Sequence, residues 1–303
     1  MSPFAPDEDS RVRFAARWIR LGDPAPGAIA DARLQLHWAL QLLGAFGESF
    51  VPHRSDYTHS AATWSPERRA FLSAEAGRGV PIRLGLEPGH FTYRLFGPGP
   101  SASEAFDLRG RTRSEAAEWL QAELADRLGE SAQAFVSPAP DIPSHRVGLG
   151  AEYSAGPAEL AEVERWFHDA SLLLEAVSAA EEGASAVRCW PHHFDIAVLI
   201  DLDYEADPPV GPEDARSIGI GMTPGDDSYP DPYFYVTPWP YPAEDQLPKL
   251  PPPATWHTMN WIGAVLTAEN LVSAGDEGAQ ATRAASFARA AIAGSRALLR
   301  RTG

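Results

Sequence analysis

Apolar positions recur along this chain in two rhythms. A period of 3.6 residues marks helices, and strict alternation or short apolar runs mark strands. "DARLQLHWALQLLGAFG" (31–47) reads as a helix with Asp31 near its N-cap and Gly47 as its stop, apolar nearly all round and so buried on more than one side. Strands are expected at 57–64, 80–88 and 90–97, with Pro88-Gly89 turning the last two, and a short one in "AFDLRG". "TRSEAAEWLQAELADRLG" (112–129) is an amphipathic helix whose Thr112 and Glu115 have capping-box spacing. After a Pro/Gly-rich stretch the order recurs. A helix over 157–180 carries Leu160, Val163, Trp166, Phe167, Ala170, Leu173, Leu174 and Val177 at helical spacing. Strands over 193–203, 217–224, 232–239 and 256–267 follow, then a long Ala-rich helix over 276–301.

This pattern predicts an α+β chain of two helix–antiparallel meander–helix halves. The expected divisions are an N-terminal segment (1–30) that is partly disordered, a first half (31–136), a connection (137–156) and a second half (157–303). "IRLGLEPG" (82–89) and "IGIGMTPG" (218–225) share I-x-[apolar]-G-[apolar]-x-P-G, each before an aromatic-rich strand. Duplication and coincidental hairpins both account for that.

Composition narrows the function. With 303 residues, 44% hydrophobic and 22% charged, the chain suits a folded soluble protein, and no run approaches the eighteen apolar residues of a bilayer span. "MSPFAPDEDSRVRF" lacks the basic and apolar regions of a signal peptide, so a cytoplasmic location is expected. The formal charge of −16 argues against nucleic acid and anionic membranes as partners; a small-molecule ligand stays open. Cys189 is the single cysteine, which excludes an internal disulfide; a buried structural thiol is expected. Lys249 is the single lysine and sits in the loop "LPKLPPP", and G-x-x-x-x-G-K-[ST] and G-x-G-x-x-G are both missing. Neither a nucleotide-phosphate site nor a pyridoxal phosphate site is therefore expected. There is no H-E-x-x-H, H-x-H or C-x-x-C, so a metal-free site is preferred, and no G-x-S-x-G elbow.

The polar residues that remain carry the candidate chemistry. His37, Gln41 and Gly44 form one stripe on the first helix, where a ligand-facing role and a helix-to-strand hydrogen-bonding role are equally open. His59, on the expected strand 57–64, shares a face with Tyr57, Ala61 and Thr63. In a strand from 193, His193 and Asp195 share a face opposite Phe194, Ile196 and Val198; a carboxylate orienting an imidazole is one reading, a satisfied polar pair the other. The aromatic-proline run "SYPDPYFYVTPWPYP" (228–242) suits a pocket wall, a subunit contact or a protected edge strand.

The order of these motifs resembles an uncharacterised bacterial family, domain of unknown function 5996. The resemblance rests on L-H-x-x-x-Q-x-x-G (Leu36, His37, Gln41, Gly44), the histidine His59, F-D-[LI]-A (Phe194, Asp195, Ile196, Ala197), G-x-x-P-G (Gly221, Pro224, Gly225) and the pair Phe234-Tyr235. It spans almost the whole chain. A basic residue is expected after the helix glycine, where Ala45 stands. The resemblance implies an architecture and a site but no reaction, and it points to Asp195 more than to the histidines beside it. Two functions follow. One is a small-molecule enzyme with His37, His59 and Asp195 as acid–base residues in a cleft between the halves and Gln41, Tyr235 and His193 as ligand contacts. The other is a non-catalytic ligand-binding or interaction module in which the same residues are structural.

Overall fold

The computed structural model describes residues 14–77, 81–97, 105–128, 141–206, 210–211 and 214–300. The fold is α+β with antiparallel sheets. Its residues cluster into two compact units, one formed by 27–164 with 188–195, the other by the rest of the described chain. These units do not follow the expected divisions. Residues 141–156 are a folded part of the first unit, and residues 14–26 belong to the second, with Trp18 and Leu21 buried. Residues 1–13 and 129–140 of the expected divisions lie outside the described residues.

In the first unit, helix α1 (Ala30–Phe50) packs against a five-stranded meander ordered β1-β2-β3-β4-β5. The strands are β1 (Thr63–Ser65), β2 (Ala70–Leu72), β3 (Arg83–Glu87), β4 (Thr92–Phe96) and β5 (Phe106–Asp107). Leu36, Leu40, Leu43 and Phe46 of α1 and Phe71, Leu84, Leu86, Tyr93 and Leu95 of the sheet are almost wholly buried, as a helix apolar on most sides requires. Helix α1 does not stop at Gly47. A Cβ there would lie 2.1 Å from the His59 carbonyl oxygen, so this glycine permits close backbone approach rather than chain reversal. Helix α2 (Arg113–Leu128) opens with the expected capping box. The Thr112 N–H donates to Glu115 Oε2 (2.8 Å), and the Glu115 N–H donates to Thr112 Oγ1 (3.2 Å). The first turns of α3 (Pro157–Ser178) and strand β6 (Arg188–Trp190) complete this unit, Cys189 of β6 bridging to Ala62.

The expected strand 57–64 is corrected: residues 58–60 form a turn, Ala62 makes an isolated bridge, and the strand begins at Thr63. Asp56 Oδ1 accepts from the Thr58 N–H (3.1 Å) and hydroxyl (2.8 Å), and Tyr57 takes a left-handed φ of 57°, so local side-chain bonding overrides the alternation. The expected strand from 193 is corrected as well. Pro66–Arg69, Pro88–Phe91 and Pro191–Phe194 are three turns of one kind, each opening on proline and closing on a residue at φ 51°, 55° or 56°. Phe91 and Phe194 accept that costly conformation because it turns their rings into the core, at 0% and 2% exposure. His193 therefore sits in a turn, and the strand-face argument joining it to Asp195 fails.

The second unit orders its strands β10-β11-β9-β8-β7. They are β7 (Asp195–Asp201), β8 (Ser217–Thr223), β9 (Tyr233–Trp239), β10 (Thr255–His257) and β11 (Gly263–Thr267). The expected strand 256–267 is two strands, broken where Asn260 adopts φ 68°. A short α4 (Ala268–Val272) precedes α5 (Glu277–Arg300), which packs on β8, β9 and β11. Gln280 of α5 pins the N-terminal segment, accepting from the Leu21 N–H (2.9 Å) and donating to the Leu21 carbonyl (3.1 Å). The shared glycine of the two motifs has one cause in both units: Phe96 lies over Gly85 and the Tyr235 hydroxyl over Gly221, each where a Cβ would stand 2.4 Å away. Strand order separates the sheets, since the first is sequential and in the second β11 rather than β10 borders β9. Among the described residues no helix is long and apolar enough to cross a membrane.

Candidate functional site

Helix α1 carries the predicted stripe, and its partner is the turn that follows β6. His37 is buried, and its Nε2 lies 2.9 Å from the Pro191 carbonyl oxygen. A carbonyl only accepts, so Nε2 holds the proton and the ring is the neutral Nε2–H tautomer. Gln41 Nε2 donates to the same oxygen (2.5 Å) and to the His37 carbonyl (3.0 Å). Gly44, one turn on, leaves room for the Pro191 ring, 3.3 Å from where its Cβ would stand. Phe194 closes the arrangement by stacking on the His37 imidazole, with centroids 5.1 Å apart and planes 13° apart. Burial outweighs the carbonyl bond and pulls the His37 pKa down to about 4. Neutral, stacked and doubly bonded to one backbone oxygen, this group clamps the 191–194 turn to the helix.

The other predicted residues stand in settings of their own. His59 is buried, its Nδ1 accepting from the Arg54 N–H (3.2 Å), while its Nε2 lies 3.1 Å from Glu48 Oε1 of α1 without a hydrogen bond. Asp195 is half-buried at the start of β7, and its charge adds to burial in pushing the Cys189 thiol well above its usual pKa. His193 is exposed, its ring packed on that of His192 with centroids 4.1 Å apart. Tyr235 lies in the second unit, its hydroxyl over Gly221. The aromatic segment around it bonds internally: Tyr233 donates to Asp226 Oδ2 (2.6 Å), Tyr229 pairs with His257 Nδ1 (3.0 Å), and Trp261 donates to Ser228 (3.1 Å). Among the described residues no three His, Cys, Asp or Glu side chains group as metal ligands.

A feature missed in the sequence lies one residue further round α1. Trp38 and Leu42 line a cavity of about 210 Å³ with Tyr93 of β4, Arg113, Ser114, Ala116 and Ala117 of α2, and Tyr153. Residues 141–156 hold its wall. Trp38 Nε1 donates to the Pro143 carbonyl (3.1 Å), Gln35 Oε1 accepts from Ser154 N (2.7 Å) and Ala155 N (3.1 Å), and His145 Nε2 meets Asp31 (3.1 Å). The Tyr93 hydroxyl donates to the Ala39 carbonyl (2.5 Å). Burial raises the pKa of both phenols, so they remain neutral donors at ordinary pH. Arg113 is half-buried with its guanidinium 4.6 Å over the Trp38 ring. The available signal was Trp38 and Leu42 at i, i+4 beside the polar stripe, together with an arginine directly after a capping threonine. A larger cavity of about 460 Å³ in the second unit lies between Pro251–Ala254 and α5. Its arginine, Arg283, is already engaged by the Asn270 carbonyl and Ser273 Oγ.

Compared with protein-family models, with curated proteins and with solved structures, the chain finds no match.

Proposed function

We propose that the chain is a non-catalytic, cytoplasmic small-molecule-binding protein whose ligand enters the cavity lined by α1, α2, β4 and Tyr153. The observation that carries this reading is a concave space lined by polar and apolar surface in comparable measure, with a half-buried guanidinium over an indole. The acid–base reading is weaker on chemistry. With a pKa of about 4, His37 is a poor general base near neutrality, and both nitrogens of His59 face neighbours within the fold. The motif order that resembles domain of unknown function 5996 is compatible with this proposal, since it implies architecture without a reaction.

The test is a cavity-filling variant. Ala117 is half-buried at the cavity wall, so Ala117→Leu adds volume there without displacing core. Small organic acids, amides and amines at millimolar concentration are expected to raise the unfolding temperature of the parent chain saturably and to leave Ala117→Leu unmoved. Equal shifts in both proteins, or none in either, would reject the cavity as the ligand site.

A further inference from the structure

We infer that the ligand of this cavity is a small organic carboxylate, its anion held by Arg113 and its apolar body laid against Trp38, Leu42 and Ala116. The inference rests on reading the cavity as a ligand site, and it adds the chemical class. The chain carries 41 acidic residues against 25 lysines and arginines, so carboxylates are plentiful. Five arginines of the first unit have one: Arg69 with Glu164, Arg83 with Glu75, Arg94 with Glu87, Arg109 with Asp107 and Arg111 with Glu115. Among the described residues Arg113 has no carboxylate at ion-pairing distance; it has the Trp38 ring. The acid nearest in sequence, Glu115, is held by Arg111 (3.0 Å) and by the Thr112 N–H and hydroxyl (2.8 and 3.0 Å).

The lining then selects by charge and size. Among the described residues it contains one cation and no acid, which favours an anion over an ammonium group. Arginine's planar fork matches a carboxylate with two parallel hydrogen bonds, and the Arg113 guanidinium lies 4.6 Å over the Trp38 ring. About 210 Å³ is the liquid volume of roughly seven waters, enough for a benzoate-sized acid. Inorganic phosphate is a poorer fit. It is strongly hydrated, and a single guanidinium offers little in exchange for that hydration.

Calorimetric titration with benzoate, butyrate, benzamide, benzylamine and inorganic phosphate tests this. Benzoate and butyrate are expected to bind saturably, benzoate about tenfold or more tighter than benzamide, with benzylamine and phosphate weaker still. Arg113→Gln should lose about tenfold or more of the benzoate affinity, and Arg113→Lys should keep part of it. The unfolding midpoint of each variant, measured alongside, separates lost binding from lost fold. Benzamide binding as tightly as benzoate, or Arg113→Gln in a folded protein leaving benzoate affinity unchanged, would overturn the carboxylate while the cavity reading stood. Failure of every probe would overturn both.

Discussion

Two neighbouring faces of α1 use similar materials to opposite ends. His37 and Gln41 turn their polar atoms onto one backbone oxygen, that of Pro191, and a phenylalanine seals the group. Trp38 and Leu42, one residue on, face a cavity in which a guanidinium and two phenols surround open space. On the first face the His37 Nε2–H and the Gln41 amide nitrogen both donate to the Pro191 carbonyl, so the face does mechanical work. On the second, among the described residues, a cation has no carboxylate at ion-pairing distance, and the proposed ligand would supply one. A polar stripe on a buried helix is thus no sign of a site in itself. What separates the two faces is whether a charged group stands without an opposite charge among the described residues.

The comparison breaks most severely at the clamp side's close approaches. Gly47→Ala would drive a methyl to 2.1 Å from the His59 carbonyl oxygen and 2.9 Å from Ser60 Cα, both backbone atoms with little freedom to yield. A loss of about 3 kcal/mol or more is expected in denaturant unfolding. A loss below about 1 kcal/mol would show that the 57–60 turn is loosely seated and that this face is no rigid clamp.

His37 gives the second largest effect, and it depends on pH. Its folded pKa, about 4, lies below the ordinary 6.5. Between those values the unfolded chain takes up a proton that the folded chain refuses. The stability this neutral imidazole contributes is therefore whole above pH 6.5, falls as pH drops toward 4, and levels off below that. The span corresponds to roughly 3 kcal/mol. His37→Gln is expected to be less stable than the parent at pH 7.5, with the gap shrinking or reversing by pH 4. Carboxylates titrate alike in both proteins and cancel in the difference. Parallel stability curves from pH 7.5 to 4 would contradict a buried, neutral His37.

The two faces also differ in how far the sequence reveals them. Periodicity marks α1, α2 and α5, and the stripe of His37, Gln41 and Gly44 follows from spacing alone, as does the Thr112–Glu115 box. The partner of the stripe does not, because Pro191 is 154 residues from His37. Three-residue strands such as β1, β2 and β6 are too short for alternation to register. The turns before β2, β4 and β7 place arginine or phenylalanine at positive φ, where residue preference points elsewhere, so a strand is expected from 193 where a turn holds His193. The cavity escaped notice for another reason. Empty space has no residue signature, and Arg113 reads as one more charge on an amphipathic helix.

On the cavity side the capping box sharpens the contrast. Thr112 fixes where α2 begins and hence where Arg113 stands. Thr112→Ala removes the acceptor for the Glu115 N–H and is expected to lower stability by about 1 kcal/mol in urea unfolding. Benzoate affinity should weaken with it, though by less than in Arg113→Gln, because a frayed first turn still carries the guanidinium. Unchanged affinity alongside the full stability loss would mean that Arg113 is positioned by Trp38 alone.

The smallest stability change is expected from Arg113→Gln, and its smallness is the point. No ion pair of Arg113 with a described carboxylate is lost, and the guanidinium is half-buried at 4.6 Å from the Trp38 ring. A cation over an aromatic face at such a position contributes about 0.5–1 kcal/mol. Glutamine keeps a polar tip and a similar stem, so the helix start is undisturbed and α2 retains its cap. The variant should therefore unfold within about 1 kcal/mol of the parent while losing benzoate. A residue that matters to binding and barely to folding is the mark of a face left open for a ligand. If Arg113→Gln instead cost about 2 kcal/mol or more, Arg113 would be holding α1 and α2 together as His37 holds the 191–194 turn, and the difference between the two faces would vanish.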